Sequence, residues 1–251
     1  MVKIIIQGIH GKMGRKLLEM IEQRSDCEVV AGVDKFKAPC VVPVFSSLDE
    51  CTVSADVMID FSNPAATDAA LSICAAKNLP CVICTTGLSD ETLAKLENAS
   101  KSTAVFKSAN MSVGINLLIL LAKKANAVLG TDFDIEIIEK HHHNKLDAPS
   151  GTALMIADAI KENASGIEYE YVYDRSKVRR KREVKEIGIS AVRGGSIVGE
   201  HDVMFCGQDE VITLSHSAAS RDVFANGAVN AAVYLAGKPA GLYSMEDMLS
   251  L

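Results

Sequence analysis

Residues 2–15 read VKIIIQGIHGKMGR, a short apolar strand that runs into a turn with three glycines and then into a helix. Gly8, Gly11 and Gly14 define that turn. In strand–turn–helix units of this kind, one glycine permits the sharp turn, one lets backbone amides approach a diphosphate, and one lets helix and strand pack closely. The stretch therefore predicts a doubly wound α/β domain that holds a dinucleotide at the N-terminus of its first helix.

An acidic residue follows this turn at the distance that ribose binding requires. Asp34 lies 20 residues beyond Gly14, at the end of the next apolar segment, and Lys35 comes directly after it. A carboxylate there hydrogen-bonds the ribose hydroxyls of NAD, whereas a cationic side chain can pair with the 2′-phosphate of NADP. We interpret the pair as tolerance of both nucleotides. The alternatives are a glycine turn that binds nothing, since its spacing differs from the commonest form, and a solvated surface lysine.

Short apolar runs alternate with helical patterns through the first 110 residues. Such alternation predicts parallel strands joined by right-handed crossovers, that is, a doubly wound sheet. The predicted strands cover residues 4–7, 28–34, 57–61, 80–86 and 104–107, and the predicted helices begin near Met13, Pro64 and Asp90.

The pattern changes after about residue 112. The next predicted elements are a helix over 113–129, a strand over 133–139 and a helix around 153–160. From Ile187 onward, alternating apolar residues and glycine-containing turns indicate antiparallel strands that follow one another in the sheet. We therefore expect a second sheet domain, and a last helix over about 221–236 that packs back on the first domain.

Composition argues against several classes of protein. The 251 residues carry 26 basic and 32 acidic side chains, and a net charge of −6 disfavours contacts with nucleic acid or anionic membranes. The best apolar run, residues 117–122, is far shorter than the roughly 18 residues that span a bilayer. Seven cysteines without a disulfide spacing indicate a reducing compartment. We expect a cytoplasmic protein that binds neither nucleic acid nor membrane.

Residues 139–153 read EKHHHNKLDAPSGTA, which is three consecutive histidines, a lysine and then a helix start. Ser150 is placed to cap the helix, and Gly151 and Thr152 supply its first backbone amides, which favour an anion. Imidazoles that move protons near neutral pH and the Lys145 ammonium lie on the preceding loop. The segment predicts a seat for a carboxylate beside titratable groups. The alternatives are a metal site, which lacks a partner at ligand spacing, a solvated loop and a plain helix cap.

Two further motifs have both a structural and a functional interpretation. Cys81 and Cys84 form a C-x-x-C, but within a strand pattern the two thiols face opposite sides, which favours buried thiols over a redox pair. Residues 179–182 read RRKR, and the acidic net charge favours a solvated loop over a nucleic-acid contact.

The segment Glu139–Ala153 resembles the signature of the dihydrodipicolinate reductase (4-hydroxy-tetrahydrodipicolinate reductase) family of the lysine pathway. The resemblance extends over essentially the whole chain, through residues 8–14, 60–62, 85–87, 109–114, 193–201 and 220–228. The glycine turn is generic, but the string His-His-x-x-Lys-x-Asp-Ala-Pro-Ser-Gly-Thr is highly specific. The resemblance implies a homotetrameric enzyme that reduces 4-hydroxy-tetrahydrodipicolinate to tetrahydrodipicolinate with loss of water, using NADH or NADPH and no metal.

The resemblance also implies roles for individual residues. His141 matches the acid/base position and Lys145 the lysine that donates a proton, and the substrate-binding positions are His142, Gly151 and Thr152. The positions that match the dinucleotide site are Gly8, Ile9, His10, Gly11, Lys12, Met13, Asp34 and Lys35. The positions that match two strand-end loops beside the nicotinamide are Cys84, Thr85, Thr86, Ser108, Ala109, Asn110 and Met111.

The fold implied by the resemblance is a Rossmann-like dinucleotide-binding domain and a smaller α+β domain, with a mixed or antiparallel sheet, that binds substrate and forms the oligomer. For this chain we expect residues 1–111 and 222–251 in the first domain and 112–221 in the second. Asp34, Lys35 and Met111 depart from frequent family residues, which bears on nucleotide preference. The alternative functions are another Rossmann-fold dehydrogenase, which requires a different substrate loop, and a nicotinamide-sensing regulator, for which no DNA-binding segment is found in the sequence.

Overall fold

The computed structural model describes residues 1–164, 166–177 and 179–249. The strands are, in chain order, β1 (Val2–Gln7), β2 (Cys27–Val33), β3 (Val44–Phe45), β4 (Val57–Asp60), β5 (Cys81–Ile83), β6 (Ala104–Lys107), β7 (Asp134–His141), β8 (Glu170–Tyr173), β9 (Glu186–Arg193), β10 (Gly199–Cys206), β11 (Val211–Ala218) and β12 (Gly241–Tyr243). The α-helices are α1 (Lys12–Ile21), α2 (Pro64–Lys77), α3 (Asp90–Ala99), α4 (Val113–Leu129), α5 (Gly151–Glu162), α6 (Asp222–Leu235) and α7 (Met245–Leu249). The chain divides into two units, Met1–Val113 with Asp222–Leu251, and Gly114–Arg221.

Within its described residues, the first unit contains a parallel sheet of seven strands in the order β12-β6-β5-β4-β1-β2-β3. Ile4, Ile6 and Ile59 have no exposed surface, because helices cover both faces of the sheet. Helices α1 and α6 share one apolar cluster, and α2 and α3 share the other. The carboxyl ends of parallel strands lie along one edge, which brings the glycine turn and the loops after β2, β4, β5 and β6 together.

The predicted α/β class and the packing of the last helix on the first unit are confirmed. Helix α2 begins at Pro64, as predicted, and the Asn63 side chain caps it by accepting from the Ala66 N–H at 3.1 Å. The structure adds β3, β8, β12 and α7, of two, four, three and five residues, which are too short to produce a periodic pattern. Strand β5 is also shorter than predicted, because the chain leaves the sheet at Cys84.

The second unit contains a mixed sheet, whose described strands lie in the order β11-β10-β7-β9-β8. Strand β10 pairs antiparallel with β11 and β7, whereas β9 pairs parallel with β7 and β8. The prediction that the strands after Ile187 are contiguous and antiparallel is therefore wrong for β9 and β10, since β7 lies between them. Periodicity identifies a strand but not its partner, because strand pairing is non-local.

Alternation along β7 gives this sheet two different faces. Ile135 and Ile137 point inward and pack with residues of α4 and α5. Alternate residues point outward, where Val192 of β9 is 46% exposed and Val211 of β11 is 54% exposed. One face of the sheet therefore forms the core of the unit, and the other presents apolar side chains at its surface.

Helix α4 corrects the expectation that no apolar segment of the chain is long enough to span a bilayer. With the 3₁₀ turn that follows it, Val113–Asp132 is long and apolar enough to match a membrane span, whereas the run 117–122 alone is not. Leu118 and Ala122 pack in the core of the second unit, and Leu117 and Leu121 are partly exposed. Because core helices of globular proteins also reach this length and composition, the helix is weak evidence for a membrane.

Cations of the RRKR run form ion pairs within the second unit. Arg180 pairs with Glu183 and Glu186, at 2.6 and 2.7 Å, and Arg182 pairs with Asp134 and Glu136, at 2.7 and 3.1 Å. These contacts support the structural interpretation of the run as a charged surface segment, which the acidic net charge favoured.

Candidate active site

The glycine turn has the geometry that its spacing predicts. Gly8 adopts φ +82°, its N–H donates to the Val33 oxygen at 2.8 Å, and the Gly11 N–H donates to the Gly8 oxygen at 3.0 Å. A Cβ on Gly14 would lie 2.1 Å from that oxygen, so the close approach of α1 to the turn requires glycine. Gly11 is the N-cap of α1 and supplies no side-chain cap, which leaves helix N–H groups for an anion.

A cavity of about 360 Å³ lies beside this turn, within the first unit. Gly8, Gly11, Asp34 and Lys35 line it, and its opposite wall is made of small residues of α2, namely Ala65, Ala66, Ala69 and Ala70. The volume falls in the range of small-molecule sites. Uncapped amides, absent side chains at the glycines and a carboxylate at the far end together fit a bound dinucleotide.

The Asp34 carboxylate ties the end of β2 to the glycine turn. Its Oδ2 accepts from the His10 N–H and its Oδ1 from the Phe36 N–H, each at 3.0 Å. Each oxygen has a further lone pair for a ribose hydroxyl. Lys35 is exposed, and so is the Phe36 ring, which meets the His10 imidazole edge to face at 6.1 Å.

The remaining matched positions of the turn have different surroundings. The Ile9 side chain is 1% exposed and packs against Gly32, so it supports the turn from below. Lys12 and Met13 form the first turn of α1, where their backbone faces the same edge of the sheet. That these positions hold the dinucleotide stays a prediction.

Two loops leave the sheet side by side after β5 and β6. Ile83 and Lys107 are cross-strand partners, so residues 84–86 and 108–111 begin at neighbouring positions. The Ser108 hydroxyl donates to the Asn110 oxygen at 2.7 Å, which closes the second loop into a tight turn. Cys84, Thr85 and Met111 are largely buried.

Both thiols of the C-x-x-C motif are buried and free. A hydrogen bond with Cys74 and burial raise the pKa of Cys81 well above its usual value, and burial raises the pKa of Cys84 in the same direction. Protonated buried thiols are poor nucleophiles, which supports the structural interpretation of the motif.

A buried carboxylate at the end of β4 was not assigned a role from the sequence. Asp60 has no exposed surface, and it accepts hydrogen bonds from Gln7 Nε2 at 3.2 Å, the Ser62 N–H at 3.0 Å and Thr85 Oγ1 at 3.2 Å. Thr67 Oγ1 donates as well. Asp60 thereby joins β1, the loop after β5 and the start of α2. An acid at the last position of a fully apolar strand is the signal that could have identified it.

In the second unit, His141 is the last residue of β7 rather than part of the loop, which corrects the predicted position. Its Nδ1 lies 2.7 Å from Glu139 Oε2, and the Arg193 guanidinium contacts the two Glu139 oxygens at 2.7 and 2.6 Å. Burial raises the pKa of Glu139, but hydrogen bonds from Arg193, His141 and the Ser150 N–H outweigh it and hold the pKa below its ordinary value. Glu139 is therefore an ionised, fully buried carboxylate.

Ser150 caps α5, as predicted, and also anchors it. Its Oγ accepts from the Ala153 N–H at 3.1 Å and lies 3.0 Å from His201 Nε2, while its own N–H donates to Glu139 Oε1 at 2.9 Å. Burial, with a further contribution from His141, lowers the pKa of His201 to about 4, so this imidazole is neutral at pH 7. The start of α5 is thus fixed to β7 and β10.

Lys145 lies on the loop between β7 and α5, with its Nζ 2.9 Å from Asp147 Oδ1. The hydrogen bond from Lys145 lowers the pKa of Asp147, and the Gly151 N–H contributes in the same direction. A Cβ on Gly151 would meet no atom within 4 Å, so the space beside the helix start is open. Asp147 therefore pairs with Lys145 beside Gly151, a position that the resemblance assigns to substrate binding.

The other predicted substrate residues surround this helix start. His142 is half-buried, and its Nδ1 makes no hydrogen bond with the described residues, while Thr152 is half-buried in the first turn of α5. His143 is exposed. Within the described residues, no three His, Cys, Asp or Glu side chains are grouped to hold a metal ion.

Glu139 and Arg193 are the functional candidates that sequence reasoning missed in this unit. Side chains two apart on a strand share a face, so Glu139 and His141 are neighbours only if β7 continues to residue 141. Because the predicted strand ended at residue 139, the sequence did not indicate that Glu139 and His141 are neighbours. Arg193 stands opposite His141 in the parallel register of β7 and β9, a pairing that periodicity does not give.

Comparison with known proteins gives a consistent result. The family model described as "Dihydrodipicolinate reductase, N-terminus" matches residues 2–111. The family model described as "Dihydrodipicolinate reductase, C-terminus" matches residues 114–249. The chain is 53% identical over 249 residues to the 4-hydroxy-tetrahydrodipicolinate reductase of Caldanaerobacter subterraneus subsp. tengcongensis, covering 99% of this chain and 98% of that protein. It is 49% identical over 251 residues to the enzyme of Clostridium novyi of the same name, covering 99% and 98%.

A solved structure is similar over nearly the full length. The dipicolinate-bound dihydrodipicolinate reductase from Paenisporosarcina sp. TG-14 superimposes with a TM-score of 0.80 at 28% identity, covering 98% of each chain. Sequence and structure therefore agree on one set of relatives for both units of the chain.

Proposed function

Because the chain belongs to the dihydrodipicolinate reductase family, we propose that it reduces 4-hydroxy-tetrahydrodipicolinate to tetrahydrodipicolinate, with loss of water, in lysine and diaminopimelate biosynthesis. The observation that carries the proposal is the segment from His141 to Thr152, which combines a strand-end histidine, a lysine and an anchored helix start. Neither a dehydrogenase with another substrate loop nor a DNA-binding regulator accounts for that combination.

The substrate is a ring with two carboxylates, and the start of α5 suits one of them. The helix N-terminus and the Lys145 ammonium attract an anion, and the His142 imidazole adds a donor. A relative whose structure contains dipicolinate, also a ring diacid, supports a ring diacid as the substrate. Since the Asp147 carboxylate pairs with Lys145 at 2.9 Å, the incoming carboxylate replaces the Asp147 side chain at the Lys145 ammonium.

The side chains of the second unit provide the proton. Loss of the 4-hydroxyl as water leaves a conjugated ring, and addition of one hydride and one proton gives the product. When bound, NADH or NADPH supplies the hydride. His141 or Lys145 delivers the proton to the ring carbon, and the charge-assisted bonds to the carboxylates orient the ring for it.

The first unit would hold the nucleotide through the residues predicted from the sequence. Gly8, Gly11 and the first turn of α1 would bind the diphosphate, and Asp34 would bind the ribose. The loops at 84–86 and 108–111 would contact the nicotinamide. Because Lys35 is exposed and lines the same cavity as Asp34, we propose that both NADH and NADPH are used.

Lys35 is expected to determine the affinity for NADPH. In Lys35→Ala, the KM for NADPH should rise by about tenfold, the value of one charge-assisted hydrogen bond, while the KM for NADH changes less than about twofold. Steady-state kinetics with each nucleotide measures both. Lys37→Ala, a neighbouring exposed lysine that does not line the cavity, is the control. Equal changes for the two nucleotides in Lys35→Ala would contradict a phosphate contact.

We propose that the enzyme is a cytoplasmic homotetramer, with the outer face of the second sheet as an interface. That face carries the exposed Val192 and Val211 among serine and threonine side chains, for example Ser190, Thr213 and Ser215. The same face also carries Lys140, which pairs with Glu200 and Asp202 at 3.1 Å, so a second copy would pack on a mixed apolar and polar surface.

The activity is tested by NADH oxidation with freshly prepared substrate. We expect purified protein to oxidise NADH only when the ring diacid is present, with tetrahydrodipicolinate identified by mass spectrometry. Amino acids and aspartate semialdehyde serve as control substrates and should give no change. Oxidation or reduction of a control substrate at a comparable rate, or no reaction with the ring diacid, would reject the proposal.

A further inference from the structure

The two oxygens of Glu139 contact two different parts of the proposed site. Oε2 lies 2.7 Å from His141 Nδ1, and Oε1 accepts from the Ser150 N–H at 2.9 Å. The Arg193 guanidinium binds the same two oxygens, and its NH2 group also donates to the Asp147 backbone oxygen at 2.7 Å. The buried Glu139–Arg193 pair thus contacts His141, which has the proposed acid/base role, the proposed carboxylate seat at Ser150 and the loop between them.

This arrangement determines which nitrogen of His141 carries a proton. An ionised carboxylate only accepts hydrogen bonds, so the Nδ1 that faces Glu139 must be the donor. The other nitrogen, Nε2, is left for chemistry and lies beside Gly199, where a Cβ would come within 3.1 Å of it. With Glu139 and Arg193 in place, Nδ1 of His141 keeps its proton, so any proton that His141 takes up or delivers passes through Nε2.

We propose that Glu139, held by Arg193, is a positioning residue that fixes the Nδ1–H tautomer of His141 and its spacing from the start of α5. The proposal rests on the proposed acid/base role of His141. A solely structural ion pair would hold β7 to β9 without any effect on the imidazole. The two roles differ in a property that can be measured directly, the protonated nitrogen of His141.

Glu139→Gln tests this role with little change in shape. The amide oxygen can still accept from the Ser150 N–H, but the NH₂ group now faces Nδ1, which must become an acceptor. We expect His141 to convert to the Nε2–H tautomer, visible in long-range ¹H–¹⁵N spectra of histidine-labelled protein, with the His141 signals assigned from His141→Gln. We expect kcat to fall by roughly tenfold to hundredfold, with the affinity for NADH unchanged.

Two further variants separate positioning from stability. Glu139→Asp keeps the negative charge and should retain the Nδ1–H tautomer and more of kcat than Glu139→Gln does. Glu136→Gln breaks another glutamate–arginine pair on the same strand, that with Arg182, and should leave tautomer and kcat unchanged. If Glu139→Gln does not fold, as judged by circular dichroism, Glu139→Asp and Arg193→Lys provide the same comparison of tautomer with kcat.

The outcomes are distinct. A wild-type tautomer in folded Glu139→Gln, or a switched tautomer with wild-type kcat, overturns the positioning role. A switched tautomer with reduced kcat supports it. Failure of the proposed function is recognised separately, since wild-type protein would then not reduce the ring diacid or His141→Gln would retain full activity, whatever the spectra show.

Discussion

Replacing Lys145 with alanine should lower kcat by about 10²–10⁴-fold, the usual contribution of a positioned proton donor. The structure explains why this lysine cannot be replaced by a neighbour. Its Nζ is held by Asp147 on the loop that leads into α5, at 2.9 Å, beside the helix start that we propose binds a substrate carboxylate. The affinity for NADH should stay within about twofold, because the proposed nucleotide residues belong to the first unit. Calorimetry suits this measurement, since the chain lacks tryptophan.

The solvent isotope effect on kcat shows whether Lys145 or His141 is the proton donor. His141→Asn should also lower kcat strongly, but only loss of the true proton donor should increase the solvent isotope effect on kcat, because proton transfer then becomes the slow step. Lys124→Ala, which removes an exposed charge from α4 in the same unit, is the control and should retain wild-type kcat. Near-normal turnover in Lys145→Ala would show that the lysine is not the donor.

The parts of the site that were predictable from sequence are the local ones. The glycine turn, Asp34 at the end of β2 and the Ser150 cap each depend on residues close in sequence or on a fixed spacing. The Glu139–Arg193 pair depends on the register of β7 with β9, between residues 54 positions apart. Asp60 is similar, since its donors come from three separate elements.

The same distinction applies to the fold. Strand β6 and helix α4 have the bounds that periodicity predicts, because a run of apolar residues between turns is a local property. The order of the second sheet was predicted wrongly, because nothing in the sequence of β9 or β10 shows that β7 lies between them. Fold class follows from patterns, whereas neighbours within a sheet follow from packing.

Gly14→Ala should have the largest effect on stability. The added Cβ would lie 2.1 Å from the Gly8 oxygen and 2.7 Å from Ile9 Cα, which are backbone atoms that cannot rotate away. Overpacking of this kind costs about 3 kcal/mol, which corresponds to a fall in Tm of roughly 6–12 °C for a chain of this size. The affinity for NADH should fall at least about tenfold as well, because the turn moves. Thermal unfolding followed by circular dichroism, with calorimetry for NADH, measures both.

Gly11→Ala is the matched control substitution. It obstructs the approach of the nucleotide to the turn but leaves the packing of α1 against the turn unchanged. Its Cβ would meet only the Gly8 oxygen, at 3.1 Å, and the φ of −67° suits alanine, so Tm should change by less than about 2 °C. The methyl group would nevertheless stand where α1 opens to the cavity, so the affinity for NADH should fall about tenfold or more. If Gly11→Ala loses NADH affinity but not stability, Gly11 is needed for the approach of the diphosphate to α1. If Gly14→Ala loses both, Gly14 is needed for the packing of α1 against the turn. Unchanged NADH affinity in Gly11→Ala would mean that the diphosphate does not bind at this helix N-terminus.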